Sequence, residues 1–323
     1  MKEIIPPVPR DLIEAELTQD KFQRKTNKAE NEIYILTHHD SPNIMLEIGR
    51  LRELTFRAAG GGVGEEVDID HYDITDEFPY KQLIVWDPSR REILGGYRFI
   101  HCAGLPRDQN GEVPLATSHL FNFSDEFIDD YLPFVIELGR SFVQPDYQSS
   151  KAGAKALFAL DNLWDGLGAL IVDHPDIRYF FGKVTMYTHY NVHARNLILH
   201  FFEKYFPDTH GLVRPKRPMP INADSKRIDK LFAEKEYDEA YKILSAEVRK
   251  HGENIPPLIN AYMSLTPSMK TFGTVISDEF GDVEETGILL DIEDMYDTKI
   301  DRHVSTYLEE LSDKQENPKM RFQ

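Results

Sequence analysis

The sequence predicts an α/β fold in which helices pack on both faces of a mixed sheet. Three observations point there. The elements read β, α, β, β, β, α, β, α, then a helical insertion and a closing β, β. The composition is that of a globular chain, 41% apolar and 28% charged. A length of 323 residues is enough to enclose a sizeable core.

Residues 1–30 mix prolines with "KFQRKTNKAENE" and read as an N-terminal arm. The domain is expected to span residues 31–300, leaving 301–323 as a tail. "IYILTH" is a short strand, and "SPNIMLEIGRLRELTFRAAGG" a helix with Ser41 or Asn43 as cap and Ile44, Ile48, Leu51 and Phe56 on one face. Glycines 60, 61, 62 and 64 make the following loop flexible, and "EEVDIDHYDITDE" continues it without helical periodicity. "KQLIVWD" and "ILGGYRFIHC" form a hairpin that turns at Asp87, Pro88 and Ser89. "FVIELGRSFV" is the next strand, and "KAGAKALFALDNLWDGLGALIVD" a long helix with a largely buried face. "RYFFGKVTM" and "VHARNLILHFFEKYF" repeat the strand–helix pair, and residues 224–251 read as a helical insertion with Leu231, Phe232, Tyr237, Ala240, Tyr241 and Leu244 inward. A short helix in "IPPLINAYMSL" and an antiparallel pair turning near Gly281 close the domain.

The formal charge of −18 argues against broad attraction to nucleic acid or anionic lipid, so any basic site must be local. Cys102 is the only cysteine, which excludes an intrachain disulfide and a thiolate zinc cluster and suits a reducing cytoplasm. The N-terminus lacks an apolar signal core, and no run reaches the ~18 to 20 apolar residues of a membrane span. Peripheral contact at the inner membrane face is the most that is expected.

The strand "FVIELGRSFV" carries Glu137 and Arg140, three residues apart. Positions so spaced face opposite ways on a regular strand, so the two meet only if the strand bulges, for which Gly139 is the candidate. An internal ion pair, or a pair of residues at a strand edge, is the plain alternative. Arg52, Arg57, Arg98, Asp68, Asp70 and Asp73 gather on flanking segments, a costly set unless paired or used. "DIDHYD" lacks the glycine and distal glutamate of a calcium loop, so no metal is expected there. His189, His193 and His200 lack a carboxylate pattern and are not read as ligands.

The series "LRELTFR", "EVDIDHYD", "LIVWD" to "GGYRFI", "FVIELGRSFV" and "IPPLINAYMSL...GTVISDEFGDVEETGILLDI" resembles the acyl-carrier-protein-dependent N-acyltransferases that make ornithine and glycine lipids. That group is a branch of the GNAT acetyltransferase superfamily sometimes labelled hemolysin-like, and acyl-homoserine-lactone synthases are its more distant relatives. The resemblance runs from about Leu46 to Asp294 and is most specific at Glu-Leu-Gly-Arg-Ser. It implies a GNAT-like sheet and transfer of a long-chain, 3-hydroxy or plain, acyl group to the amine of a small amino acid. Glycine is the first choice of acceptor and ornithine the second. No cofactor is expected to stay bound. The usual pyrophosphate loop is not clean in "QPDYQSSKAGAKAL", which favours acyl-phosphopantetheine on an acyl-carrier protein over acyl-CoA.

On that resemblance Glu137 is the candidate base or relay, and Arg98 or Arg140, with Arg52 as a third, would grip the amino-acid carboxylate. Phe56, Asp68, Asp70 and Asp73 would line the substrate site, the aspartates by ordering the loop, pairing with arginines or meeting the ammonium. Ser141, Phe142 and Val143 would present backbone N–H groups to the thioester oxygen, and Lys151 and Lys155 would meet the phosphopantetheine phosphate. Two basic clusters, Arg214 with Lys216 and Arg217, and Lys21 with Arg24 and Lys25, are available to an acidic carrier protein. The phenylalanines of "YFFGKVTM" and "LILHFFEKYF" would line an acyl slot or simply fill a core. Other readings are homoserine-lactone-type synthesis, a non-catalytic lipid or carrier binder, and a membrane-lytic protein; for the last the sequence shows no amphipathic membrane helix of distinctive charge, no secretion signal and no β-barrel alternation.

Overall fold

A computed structural model describes residues 1–148, 154–220 and 225–316. The chain divides into two compact units, Met1–His101 with Ile136–Ile177 and Met295–Gln323, and Cys102–Val135 with Arg178–Asp294. The first opens with helix α1 (Arg10–Glu16), strands β1 (Phe22–Lys25) and β2 (Glu32–Leu36), and helix α2 (Pro42–Ala58). Pro42 sits at the start of α2, where a missing N–H costs nothing. The Ser41 side chain does not cap this helix; instead the Glu16 carboxylate accepts from the Asn43 and Ile44 N–H groups.

A single turn, α3 (His71–Ile74), interrupts the acidic loop that the sequence reads as non-helical. Asp70 accepts from the Tyr72 N–H while Asp73 accepts from the Asp70 N–H, a reciprocal cap that periodicity cannot reveal in so short a helix. β3 (Lys81–Asp87) and β4 (Glu92–His101) make the expected hairpin, its turn held by Asp87 accepting from the Ser89 and Arg90 N–H groups. β5 (Phe121–Phe123) belongs to the second unit, and β6 (Val135–Val143) with α4 (Ala154–Asp173) returns to the first.

The ladder of the first unit runs β1-β2-β3-β4-β6, each pair antiparallel. Gln82 of β3 bonds Arg52 of α2, while its neighbour Leu83 lies where a side chain at Gly166 of α4 would be. Consecutive strand residues face opposite ways, so α2 and α4 cover opposite faces of this sheet. The α/β class with helices on both faces is what the chain adopts.

The second unit adds β7 (Tyr179–Met186), α5 (Val192–Tyr205), β8 (Val213–Pro215), α6 (Ser225–Phe232), α7 (Tyr237–Lys250), α8 (Pro257–Met263), β9 (Lys270–Ser277) and β10 (Val283–Asp291). Its ladder is β7-β10-β9, antiparallel, with β5 and β8 paired apart. Phe232, Ala240 and Leu244 of the expected helical insertion are buried, and α7 packs on α5, so the pair contributes to this unit's core.

Helices α9 (Asp297–Ile300) and α10 (Thr306–Glu316) rejoin the first unit. Described residues of both the N-terminal arm and the C-terminal tail are built into this unit. β1 pairs with β2, and Arg24 is fully buried, bonding Glu310 at 2.8 Å and the His303 carbonyl at 3.3 Å. The polar look of "KFQRK" conceals an internal arginine because its partner lies 286 residues away. Among the described residues no helix is long and apolar enough to cross a membrane.

Candidate active site

Gly96 pairs with Phe142 and Arg98 with Gly139, so Arg140 and Ser141 together oppose the single residue Tyr97. This is a β-bulge, which takes one residue of β6 out of the ladder. The sequence assigns the necessary freedom to Gly139, but Arg140 itself takes the left-handed conformation, with φ +47°. That costs a non-glycine residue roughly 1–2 kcal/mol, and the ion pair from Arg140 Nε to Asp68 Oδ2 at 2.8 Å opposes it. Gly139 serves another purpose: a Cβ there would stand 3.3 Å from Arg98 Nε, so its absence makes room for the guanidinium. Gly95 has a similar role, since a Cβ would lie 2.4 Å from the Phe142 carbonyl oxygen.

Three arginines and three aspartates meet beside the bulge. Arg52 donates to Asp73 at 3.1 Å and to Gln82 at 2.5 Å, and Gln82 in turn donates to Asp73 at 2.9 Å. Arg98 reaches both Asp70 oxygens at 2.7 Å and Asp73 at 3.3 Å, while Arg140 also approaches Asp70 at 3.5 Å. Burial pushes the Asp73 carboxyl up, but Arg52 and Arg98 outweigh it and hold the group well below the usual carboxylate range. At Arg98 burial likewise opposes the charge, and Asp73 and Asp70 outweigh it, raising the guanidinium. At Arg52 burial prevails over Asp73 and Asp68 and lowers it.

Exposure separates these groups. Arg52 and Asp73 have no exposed side-chain surface and Arg98 only 4%, whereas Arg140 shows 13% and Asp70 30%. Direct contact of Arg52 with a substrate carboxylate, one of the roles expected from sequence, is closed off by this burial. It holds Asp73 and Gln82 in place instead. Phe56 is buried in α2 as well.

Glu137 is fully buried on β6, and its register partner is Ile100, two residues from Arg98, so it faces the same side of the sheet as the arginine. The Tyr80 hydroxyl donates to the Glu137 carboxylate, and the Arg98 guanidinium lies 5.1 Å from the Tyr80 ring centroid. Tyr80 thus touches both charged candidates, and sequence reasoning missed it. The signal was available in "YKQLIVWD": Tyr80 and Gln82 are polar on the face that Ile84 and Trp86 continue. The structure therefore gathers Arg52, Asp68, Asp70, Asp73, Arg98, Glu137 and Arg140 into one site. Ser141, Phe142 and Val143 continue the bulged strand, with Phe142 buried. Lys151 lies outside the described residues, as does the side chain of Lys155.

The basic clusters fare differently. Lys21 donates to the carbonyls of Glu16 and Asp40, and with Arg24 internal "KFQRK" is no open basic patch. In the second unit Lys216 pairs with Glu112 at 2.6 Å and Arg217 with Asp278 at 3.1 Å, while Arg214 borders a groove of about 580 Å³ that Leu199, Phe202, Met219 and Phe272 also line. Phe181 packs against Phe123, Phe127 and Phe272, and Phe201 against Tyr205 and Phe232, so these phenylalanines fill the core.

A family model described as an acetyltransferase (GNAT) domain matches residues 51–157, the segment that carries this whole cluster. Two proteins named glycine N(alpha)-acyltransferase match along almost the entire chain. The one from Bacteroides thetaiotaomicron is 56% identical over 313 residues, 97% of this chain and 93% of its own length. The one from Phocaeicola vulgatus is 54% identical over 310 residues, 96% and 95% of the two chains. Two solved structures of a CoA-dependent acyl-homoserine lactone synthase, BjaI, align loosely. The one with MTA has a TM-score of 0.38 at 11% identity, over 84% of this chain and 86% of that one. The other, with SAM and isopentyl-CoA, has 0.32 at 17%, over 52% and 72%. Those scores are too low to locate a site. Identity above one half along nearly the full length decides the matter: the chain belongs to the glycine N(alpha)-acyltransferase family and is an acyltransferase.

Proposed function

We propose that this enzyme transfers a long-chain acyl group, 3-hydroxylated chains included, from the phosphopantetheine thioester of an acyl-carrier protein to the amine of glycine. The 56% identity to a glycine N(alpha)-acyltransferase over 97% of the chain carries the reading of acceptor and reaction. The unclean pyrophosphate loop in "QPDYQSSKAGAKAL" supports the carrier-bound donor.

In the mechanism we infer, Arg140, the most exposed of the three arginines, grips the glycine carboxylate, with Arg98 behind it. Asp70, the most exposed aspartate of the cluster, orients the ammonium. Glu137 takes a proton from that ammonium, directly or through a water, and Tyr80 holds the carboxylate in position by its hydrogen bond. The neutral amine attacks the thioester carbonyl to form a C–N bond. The oxyanion meets backbone N–H groups of the bulge at Ser141 to Val143. The C–S bond then breaks, phosphopantetheine leaves as a thiolate, and the amine's second proton returns to the sulfur.

The test is a panel. Purified protein is incubated with one acyl chain presented as acyl-carrier protein or as acyl-CoA, together with glycine or ornithine, and N-acyl products are read by mass spectrometry. N-acylglycine formed at least 10-fold faster from the carrier-bound chain is expected. Acylated ornithine, or a faster reaction with acyl-CoA, overturns the acceptor or the donor respectively.

A further inference from the structure

On the other side of the same sheet, β4 ends at His101. Ile100 shares the Arg98 face, so His101 points the opposite way, toward the end of α4. There it meets His174, the first residue beyond that helix, with ring centroids 5.2 Å apart. Asp176 completes the group, its Oδ2 lying 3.2 Å from His101 Nε2. The turn presenting the last two is held by its own backbone: the His174 N–H donates to the Leu170 carbonyl, and the Ile177 N–H to the His174 carbonyl.

One ligand atom from each of the three side chains lies within 4.8 Å of the others. His101 Nε2 is buried and makes no hydrogen bond among the described residues, although the Asp176 oxygen is near. A buried imidazole nitrogen left so is unusual, and a metal ion is one partner that satisfies it. Burial, and then His101 and Lys81 beside it, hold His174 below the ordinary imidazole range. Lys81 opposes positive charge at this ring, and the Asp176 carboxylate favours it.

We propose that His101, His174 and Asp176 form a binding site for a divalent transition-metal ion, Zn²⁺ foremost, that pins the turn after α4 to the end of β4. Two imidazoles and a carboxylate are a donor set that suits Zn²⁺, with water completing the tetrahedron. His101 lies 73 positions before His174 in sequence, so the ion acts as a cross-link between strand and helix end. It lies on the sheet face opposite the arginine–aspartate cluster, and its role is structural.

The experiment uses the full chain, free of tags and stripped of metal. Co²⁺ is titrated in while its visible d–d band is followed, Zn²⁺ is used to displace it, and thermal melts are run with and without Zn²⁺. One equivalent of Co²⁺ with an intense band, bleached by Zn²⁺, and a higher Tm with Zn²⁺ are expected. His174→Ala and Asp176→Asn should each weaken binding at least 10-fold and remove the Tm shift. Asp176 is 55% exposed, so its replacement leaves the fold intact and the result readable even where His174→Ala does not fold. No saturable band, or a band of unchanged affinity in Asp176→Asn, overturns the proposal, the latter because the ion then sits on other histidines.

Discussion

Glu137 and Tyr80 form a buried carboxylate–phenol pair whose purpose, in this account, is to keep the base in one orientation. Tyr80→Phe removes a hydrogen bond to a charged group, an interaction of about 1.5–3 kcal/mol. It should lower kcat roughly 10-fold or more while leaving KM for glycine unchanged. A fall in stability with kcat intact would make Tyr80 merely structural. Asp73 has the opposite character, a buried anchor rather than a reacting group. Its folded-state pKa is depressed, so the stability it contributes is present above the ordinary carboxylate value of about 3.9 and is lost as pH falls below it. Asp73→Asn should cost about 3–5 kcal/mol at neutral pH, with a shallower acid limb, both read from urea midpoints between neutrality and acid. A variant as stable as the parent would contradict the network. Much of this site was legible: Arg98, Glu137, Arg140 and the aspartates stand out as charges that apolar segments would not carry without reason. The division of labour was not. That Arg52 is sealed while Arg140 is open depends on which face of β3 and β6 each meets, a matter of register.

At the scale of elements, the bulge in β6 decides what the site can be. Alternation read from sequence shows that Glu137 and Arg140 could share a face only if the strand is irregular, and β6 is irregular between Gly139 and Phe142. The positive φ falls on Arg140 and not on Gly139: a glycine is the natural choice for it, and nothing local predicts that an arginine will take it. The compensation, an ion pair to Asp68, comes from a loop 72 residues earlier. The neighbouring hairpin supports the bulge through Gly95. Gly95→Ala places a Cβ against the Phe142 carbonyl and forces β4 and β6 apart. We expect it to destabilise by at least about 1–3 kcal/mol, seen as a lower Tm, with acyl transfer falling further than stability alone explains. An unchanged Tm and unchanged activity would show that this pairing does not set the site.

For the molecule as a whole, the sequence shows the main strands and helices in order, but the pairing of the chain ends is not written in it. Residues 1–30 and 301–323 read from sequence as an arm and a tail; Arg24, buried beneath α10, ties one end to the other, and His303 bonds Asp165 of α4 at 2.7 Å. Long-range pairs of this kind leave no periodic trace. Deleting residues 295–323 removes Glu310 from Arg24 and takes away the buried Val304 and Tyr307, exposing the apolar surface they cover. The truncated chain should melt at least ~5 °C lower or fail to remain soluble. A truncation with the parent's Tm would show that this segment adds nothing to the fold.

The most direct test of the central claim is the rate of glycine acylation by Glu137→Gln, with a thermal melt to confirm folding. A general base contributes about 10²–10⁴-fold, so a loss of kcat in that range, with the variant folded, is predicted. A folded Glu137→Gln enzyme within 3-fold of the parent would show that the amine is deprotonated elsewhere.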